Sequence, residues 1–196
     1  MGSIQKTRER TQRLALLAIF TAITAILAYF GGFIKVGSLA SIALTLVPIV
    51  IGGALCGPKA GAWLGGVAGA IFFLTADAAF WLSLSVHGTI ITVMVKGILS
   101  GLLAALLYRA FAGRNRYLAV LAAAVVCPIV NTGIFLLGCL VFFMDVVTAG
   151  AAAEGATVAT YLLVFFVGLN FVFELLANLL LSPAILRIVD IVKGKK

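Results

Sequence analysis

The sequence predicts an all-α integral membrane protein, a bundle of about six transmembrane helices with both termini in the cytoplasm. Hydrophobic residues make up 64% of the 196 residues and charged residues only 10%, with a mean hydropathy of +1.26. A soluble domain is about half apolar and a quarter charged. A spanning helix needs about 20 mostly apolar residues, so residues 1–196 are expected to form a single transmembrane domain without a second, soluble one.

Short breaks divide the chain into six apolar runs. The predicted spans are residues 14–30, 39–56, 60–75, 88–108, 117–143 and 157–189. The predicted loops are residues 33–38, 57–59, 77–87, 109–116 and 145–155. Gly31-Gly32 ends the first span, and Pro58 marks a turn after the second because proline cannot continue a preceding helix. Pro128 predicts a kink within the fifth span.

The lysines and arginines alternate between the two sides of this arrangement. Twelve of the 14 lie in the basic head (residues 1–13), the second loop, the fourth loop and the C-terminal region that ends in a basic tail (residues 190–196). Positively charged loops stay in the cytoplasm, so both termini are expected there. Topology therefore explains the net charge of +8, and no nucleic-acid partner is expected.

Polar residues within the spans are the candidate binding residues. They are Lys96, Asn131, Asn170, Glu174 and Asn178. A charge at the bilayer centre costs about 3 kcal/mol or more, so these side chains should face the protein interior. In one interpretation Lys96 and Glu174 form a buried ion pair and the asparagines bond across helices. In the other, they line a cavity for a polar solute.

Residues of the outer loops are expected to cover such a cavity. The candidates are Trp81 and His87 in the third loop and Lys35 in the first. Small residues at four-residue spacing, such as Gly61, Gly65 and Gly69, lie on one helix face. They predict either close internal packing or a docking face for another membrane subunit.

The motifs of membrane enzymes and self-powered pumps are absent from the sequence. There is one histidine, and the three cysteines have no metal-type spacing, so no metal site is expected. Neither a nucleophile elbow nor a G-x-x-x-x-G-K-[ST] phosphate loop occurs. No cofactor and no catalytic residue are expected, and any energy for active transport must come from a partner.

Several segments together carry a family resemblance. They are LALLAIFTA (14–22), LTLVPIVIG (44–52), GPKAGA (57–62), KGILSG (96–101), NTGIF (131–135), and Asn170-Phe171 with Glu174. In this order they resemble the S components, the substrate-binding subunits, of energy-coupling factor (ECF) vitamin transporters.

The resemblance implies a subunit of an ABC-type transporter in a bacterial cell membrane. Such a subunit captures a vitamin outside the cell and docks on a T subunit driven by two ATPases. The docking face on the first helix maps to Ala18 and Ala22. The pantothenate-type members are the most similar. Lys96 would then meet the carboxylate, and Asn131 and Asn170 the amide and hydroxyls. Riboflavin or another vitamin or precursor is the rival substrate, and a membrane scaffold without transport is the rival function.

Overall fold

A computed structural model describes residues 2–31 and 44–192. Its helices are α1 (Gly2–Gly31), α2 (Leu46–Cys56), α3 (Pro58–Phe72), α4 (Ala76–Leu84), α5 (Val86–Phe111), α6 (Arg116–Phe142), α7 (Met144–Ala153), α8 (Val158–Thr160) and α9 (Gly168–Val192). A π-helical segment, Tyr161–Val167, joins α8 to α9. No strand occurs within these two ranges, and the predicted all-α fold class is confirmed.

Four helices are long and apolar enough to cross a membrane. They contain the segments Arg10–Phe30, Val86–Phe111, Arg116–Phe142 and Phe171–Val192. Two bent pairs raise the number to six if each counts as one span: α3 with α4, bent by 84°, and α7 with Val158–Val164, bent by 99°. These numbers agree with a bundle of about six membrane helices.

Two predicted loops are largely helical. Residues 77–87 form most of α4 and the start of α5, and residues 145–155 form most of α7. Their polar and small residues suggested loops. A short helix at the end of a bundle, bent away from the preceding helix, tolerates the same composition. The predicted sixth span, 157–189, is also divided, because its first part belongs to the bent pair with α7. The predicted loop 33–38 lies outside the described residues.

The short helix α2 lies in the interior of the bundle. Nine of its eleven residues are buried, among them Ile49 and Val50. Eleven residues extend about 16 Å, which is too short to cross a bilayer alone. Since neighbouring helices cover it, α2 contributes apolar side chains to the core and contacts little lipid.

Helices α3 and α5 contact each other through main-chain atoms. A Cβ added to Gly65 would collide with the carbonyl oxygen of Gly97, and one added to Gly97 would collide with that of Gly65. The same relation joins Gly61 and Gly101 one turn away. The glycine stripes therefore serve internal packing, which was one of the two interpretations of their spacing.

The described cations of the loops and helix ends collect at one end of the bundle, here called the basic end. Cys56 Sγ donates a hydrogen bond to the carbonyl oxygen of Arg13 at 3.7 Å, which brings the end of α2 to the basic part of α1. Arg116 Nη1 lies 2.9 Å from Asp190 Oδ1, which joins the start of α6 to the end of α9. The opposite end carries α4, α7 and a cluster of aromatic side chains around Trp81, and is called the aromatic end.

Candidate functional site

The amine of Lys96 lies between two phenylalanine rings. Its Nζ is 5.1 Å from the ring centre of Phe135 on α6 and 5.8 Å from that of Phe72 on α3. Helical side chains lean towards the N-terminus of their helix, and the N-terminus of α5 is at the aromatic end. The ammonium group is therefore directed from the middle of α5 towards that end, where ring faces stabilise it by cation–π attraction.

These ring contacts use none of the N–H donors of Lys96. Among the described residues the amine donates no hydrogen bond and has no carboxylate within 4 Å. Glu174 nevertheless interacts with it electrostatically over a longer distance. A direct ion pair, one of the two interpretations of the sequence, is thus not formed. Three N–H donors of a half-buried cation are left for another group.

Asn131 and Glu174 lie at the same depth in the bundle. The ion pair of Arg116 with Asp190 fixes the antiparallel register of α6 and α9. Asn131 is then about 22 Å from that ion pair, and Glu174 about 24 Å, at 1.5 Å per helical residue. Asn131 is half-buried. The carboxylate and the amide therefore occupy one layer near the middle of the bundle, and the Lys96 amine lies beside Phe135, one turn from Asn131 on α6.

Asn178 lies one turn from Glu174 on the same face of α9 and is fully buried, with 0% of its surface exposed. Its Nδ2 donates a hydrogen bond of 2.9 Å to the main-chain oxygen of Glu174. Its Oδ1 has no hydrogen-bond partner among the described residues. Asn170 lies one turn before Glu174 on the same helix, and the structure describes only its backbone.

Trp81 joins the site through Phe135. Its ring meets Phe135 edge to face at 5.4 Å and Phe143 at 5.2 Å. The Trp81 carbonyl accepts a hydrogen bond of 2.7 Å from the hydroxyl of Thr89, which ties α4 to α5. Phe135 thus has the Lys96 amine and the Trp81 ring as neighbours, and α4 covers the site at the aromatic end.

The other two candidates from the outer loops are placed differently. His87 is the second residue of α5 and is exposed. Lys35 lies outside the described residues. The structure therefore brings together Lys96, Glu174 and Asn178, with Asn131 at their level and Trp81 one ring away.

Sequence reasoning missed the two rings that flank Lys96. Phe72 and Phe135 are apolar residues in apolar helices, so nothing in the pattern distinguishes them from lipid-facing side chains. It also missed that Cys127 of α6 lies near Ser100 of α5 and interacts electrostatically with Glu174. Among the described residues, no three histidines, cysteines or acids could hold a metal ion.

Ala18 and Ala22 lie on the exposed side of α1. Both are exposed, while Phe20 and Thr24 on the other side of the helix are buried. Beside them, Trp63 Nε1 donates a hydrogen bond of 3.1 Å to the hydroxyl of Thr21. The described part of the bundle therefore leaves the side chains of Ala18 and Ala22 uncovered.

Comparison with known proteins adds one finding to this geometry. Residues 12–186 match a family model described as the substrate-specific component of ECF transporters. The match includes α2 to α8, most of α9 and the membrane part of α1. Neither the curated proteins nor the solved structures gave a match to this chain.

Proposed function

The chain belongs to the substrate-specific components of ECF transporters, and from that premise we propose that it captures pantothenate. Membership makes it a multi-pass membrane subunit that binds a small molecule for transport, rather than an enzyme. It also implies partnership with a T subunit and ATPases. Since the family itself is defined by substrate binding, a scaffold without transport is disfavoured.

The proposal of pantothenate as substrate is based on the surroundings of Lys96. Its amine is held between two rings, with unused N–H donors among the described residues. A charge at this depth is costly unless it meets a partner. A ligand carboxylate supplies that partner, since charge-assisted hydrogen bonds are about twice as strong as neutral ones.

The remaining groups of the site suit the rest of pantothenate. The half-buried Asn131 offers both a donor and an acceptor for the ligand amide, and Asn178 offers a free acceptor. Trp81 and Phe135 offer apolar ring surface for the branched dimethyl carbon. We propose Asn170 as a further polar contact, since it lies on α9 one turn from Glu174. Lys35 and His87 are proposed contacts at the aromatic end.

Ligand binding to the purified full-length chain tests the proposal. The panel is pantothenate, riboflavin and pantothenol, in which a hydroxyl replaces the carboxylate. Pantothenate should bind, and pantothenol should bind at least about tenfold more weakly, because the charged partner of Lys96 is removed. Tight riboflavin binding without pantothenate binding would make riboflavin the substrate. Equal affinity for pantothenate and pantothenol would exclude the role of Lys96.

We further propose that the basic end faces the cytoplasm. Positive-inside topology requires this of an end that contains Arg13, Lys59, Arg109 and Arg116. The aromatic end and the Lys96 amine would then open to the outside, where the vitamin arrives. A C-terminal fusion to green fluorescent protein should fluoresce, and one to alkaline phosphatase should be inactive. The reverse pattern would invert the assignment.

A further inference from the structure

Two kinds of neighbour compete for the ammonium group of Lys96. One is a pair of ring faces, with the ring centre of Phe135 at 5.1 Å from Nζ and that of Phe72 at 5.8 Å. The other is the carboxylate of Glu174, which attracts the amine electrostatically but does not lie within 4 Å of it. In the structure the amine therefore lies against the rings and forms no ion pair with the carboxylate.

Depth along the bundle axis does not keep the two charges apart. Glu174 lies about 24 Å from the ion pair of Arg116 with Asp190, and Phe135, beside the Lys96 amine, lies about 28 Å from it at 1.5 Å per helical residue. The two positions differ by less than one helical turn. Helix α9 begins at the aromatic end, so the Glu174 side chain also leans towards that end, as the Lys96 side chain does.

The rings oppose a strong competitor. Glu174 is only 2% exposed, and opposite charges attract more strongly where water is excluded. Cation–π attraction also strengthens when a cation loses water, and Lys96 is half-buried. Without the rings, the carboxylate would be the stronger attraction for the amine among these neighbours.

The position of the amine decides whether the site attracts an anion. An ammonium group paired with Glu174 would form a unit without net charge, and the carboxylate would occupy its N–H donors. The rings leave the donors of Lys96 unused, because both ring centres lie more than 5 Å from Nζ. The amine held by the rings therefore keeps both its charge and its donors for a ligand.

We propose that Phe135 and Phe72 are positioning residues, which hold the ammonium group of Lys96 away from Glu174 and so keep it available to an anionic substrate. This inference rests on the proposed function, since it concerns the same lysine and the same ligand carboxylate. Phe135 has the larger effect, because its ring is the nearer one. The selectivity of the site for anions thus depends on two apolar side chains.

The test measures the anion preference, which is the affinity for pantothenate divided by that for pantothenol, on the purified full-length chain. Phe135→Leu should lower this preference at least about threefold, because loss of the ring lets the amine pair with Glu174. In a chain that also contains Glu174→Gln, no carboxylate competes, and Phe135→Leu should leave the preference unchanged. The ratio is measured because loss of ring surface weakens the binding of both ligands alike.

Phe143→Leu is the matched control. Phe143 is buried and meets the ring of Trp81 at 5.2 Å, as Phe135 does at 5.4 Å. Among the described residues, however, only the rings of Phe135 and Phe72 face the amine of Lys96. Phe143→Leu should therefore loosen the same aromatic cluster and keep the wild-type preference.

The outcomes separate this inference from the proposed function. The positioning role is overturned if Phe135→Leu keeps the wild-type preference, if its loss is the same with and without Glu174→Gln, or if Phe143→Leu causes an equal loss. Each of these results leaves pantothenate as the substrate. Absence of pantothenate binding by the wild-type chain, or binding without preference over pantothenol, overturns both. Phe72→Leu replaces Phe135→Leu if the latter aggregates on size exclusion, and the same dependence on Glu174 is expected of it.

Discussion

The Nζ of Lys96 lies 5.1 Å from the ring centre of Phe135, on the neighbouring antiparallel helix α6. The contact stabilises the cation without using any of its N–H bonds. The ring of Phe72 on α3 flanks the same amine at 5.8 Å. Lys96 is therefore placed by its neighbours in a position where an anion can approach it.

Lys96→Met should abolish the preference for an anionic ligand while the fold persists. The substitution keeps roughly the length of the side chain and removes the charge, and it breaks no direct ion pair, since Lys96 has no carboxylate within 4 Å among the described residues. We expect pantothenate affinity to fall at least about tenfold, with an unchanged melting temperature in detergent. Lys59→Met, at an exposed lysine of the basic end, is the control. A collapse of the melting temperature in Lys96→Met alone would assign the lysine a structural role.

Ala18→Trp or Ala22→Trp should prevent assembly with the T and ATPase subunits and leave ligand binding intact. The indole would stand out from the exposed face of α1 and block close approach of another helix. Co-purification of the subunits measures assembly, and ligand titration measures binding. Ala184→Trp, at an exposed alanine of α9, should affect neither. Assembly that survives both α1 substitutions would remove this face from the docking surface.

Gly65→Ala should destabilise the chain, because its Cβ would collide with the carbonyl oxygen of Gly97. Overpacking of this kind costs about 1–3 kcal/mol. Gly133→Ala is the matched control on α6, since a Cβ there meets nothing within 4 Å, and it should leave stability unchanged or slightly raised. Melting temperatures of the two variants give the comparison, and equal values would contradict the main-chain contact.

The ion pair of Arg116 with Asp190 should contribute little to stability. The two side chains are 36% and 31% exposed, and partly solvated pairs are worth about 0.2–1 kcal/mol. A double-mutant cycle with Arg116→Ala and Asp190→Ala should give a coupling energy in this range that decreases with added salt. A coupling of several kcal/mol, unaffected by salt, would contradict a partly solvated pair.

The sequence predicts the helices better than the ends of the bundle. Composition and charge placement indicate the spans because the lipid core requires apolar side chains in every segment that crosses it. Helices α5 and α6 closely follow their predicted ranges. The short helices α4 and α7 were predicted as loops, since Asp77 and Ser83 in one and Asp145 in the other resemble turn residues. Whether such a segment forms a helix across the end depends on tertiary contacts, which no local pattern contains.

The site was also predicted only in part: its polar residues were identified from the sequence, and the two phenylalanines that flank Lys96 were not. Three polar residues of the site stand out in the sequence, because polar side chains at membrane depth are costly and therefore rare. They are Lys96, Glu174 and Asn178. Phe72 and Phe135 do not stand out, since an apolar residue in an apolar helix has no distinguishing signal. The absence of a direct Lys96–Glu174 ion pair among the described residues was also beyond the sequence, because it depends on distances between α5 and α9.

The glycine contact between α3 and α5 has a mechanical consequence. A contact between two main chains contains no side-chain rotamer that could yield, so the two helices can neither slide nor tilt against each other without separating. Lys96 is the chain neighbour of Gly97, which makes that contact. During any movement that carries the substrate through the membrane, we expect the ammonium group to move together with α3 and α5.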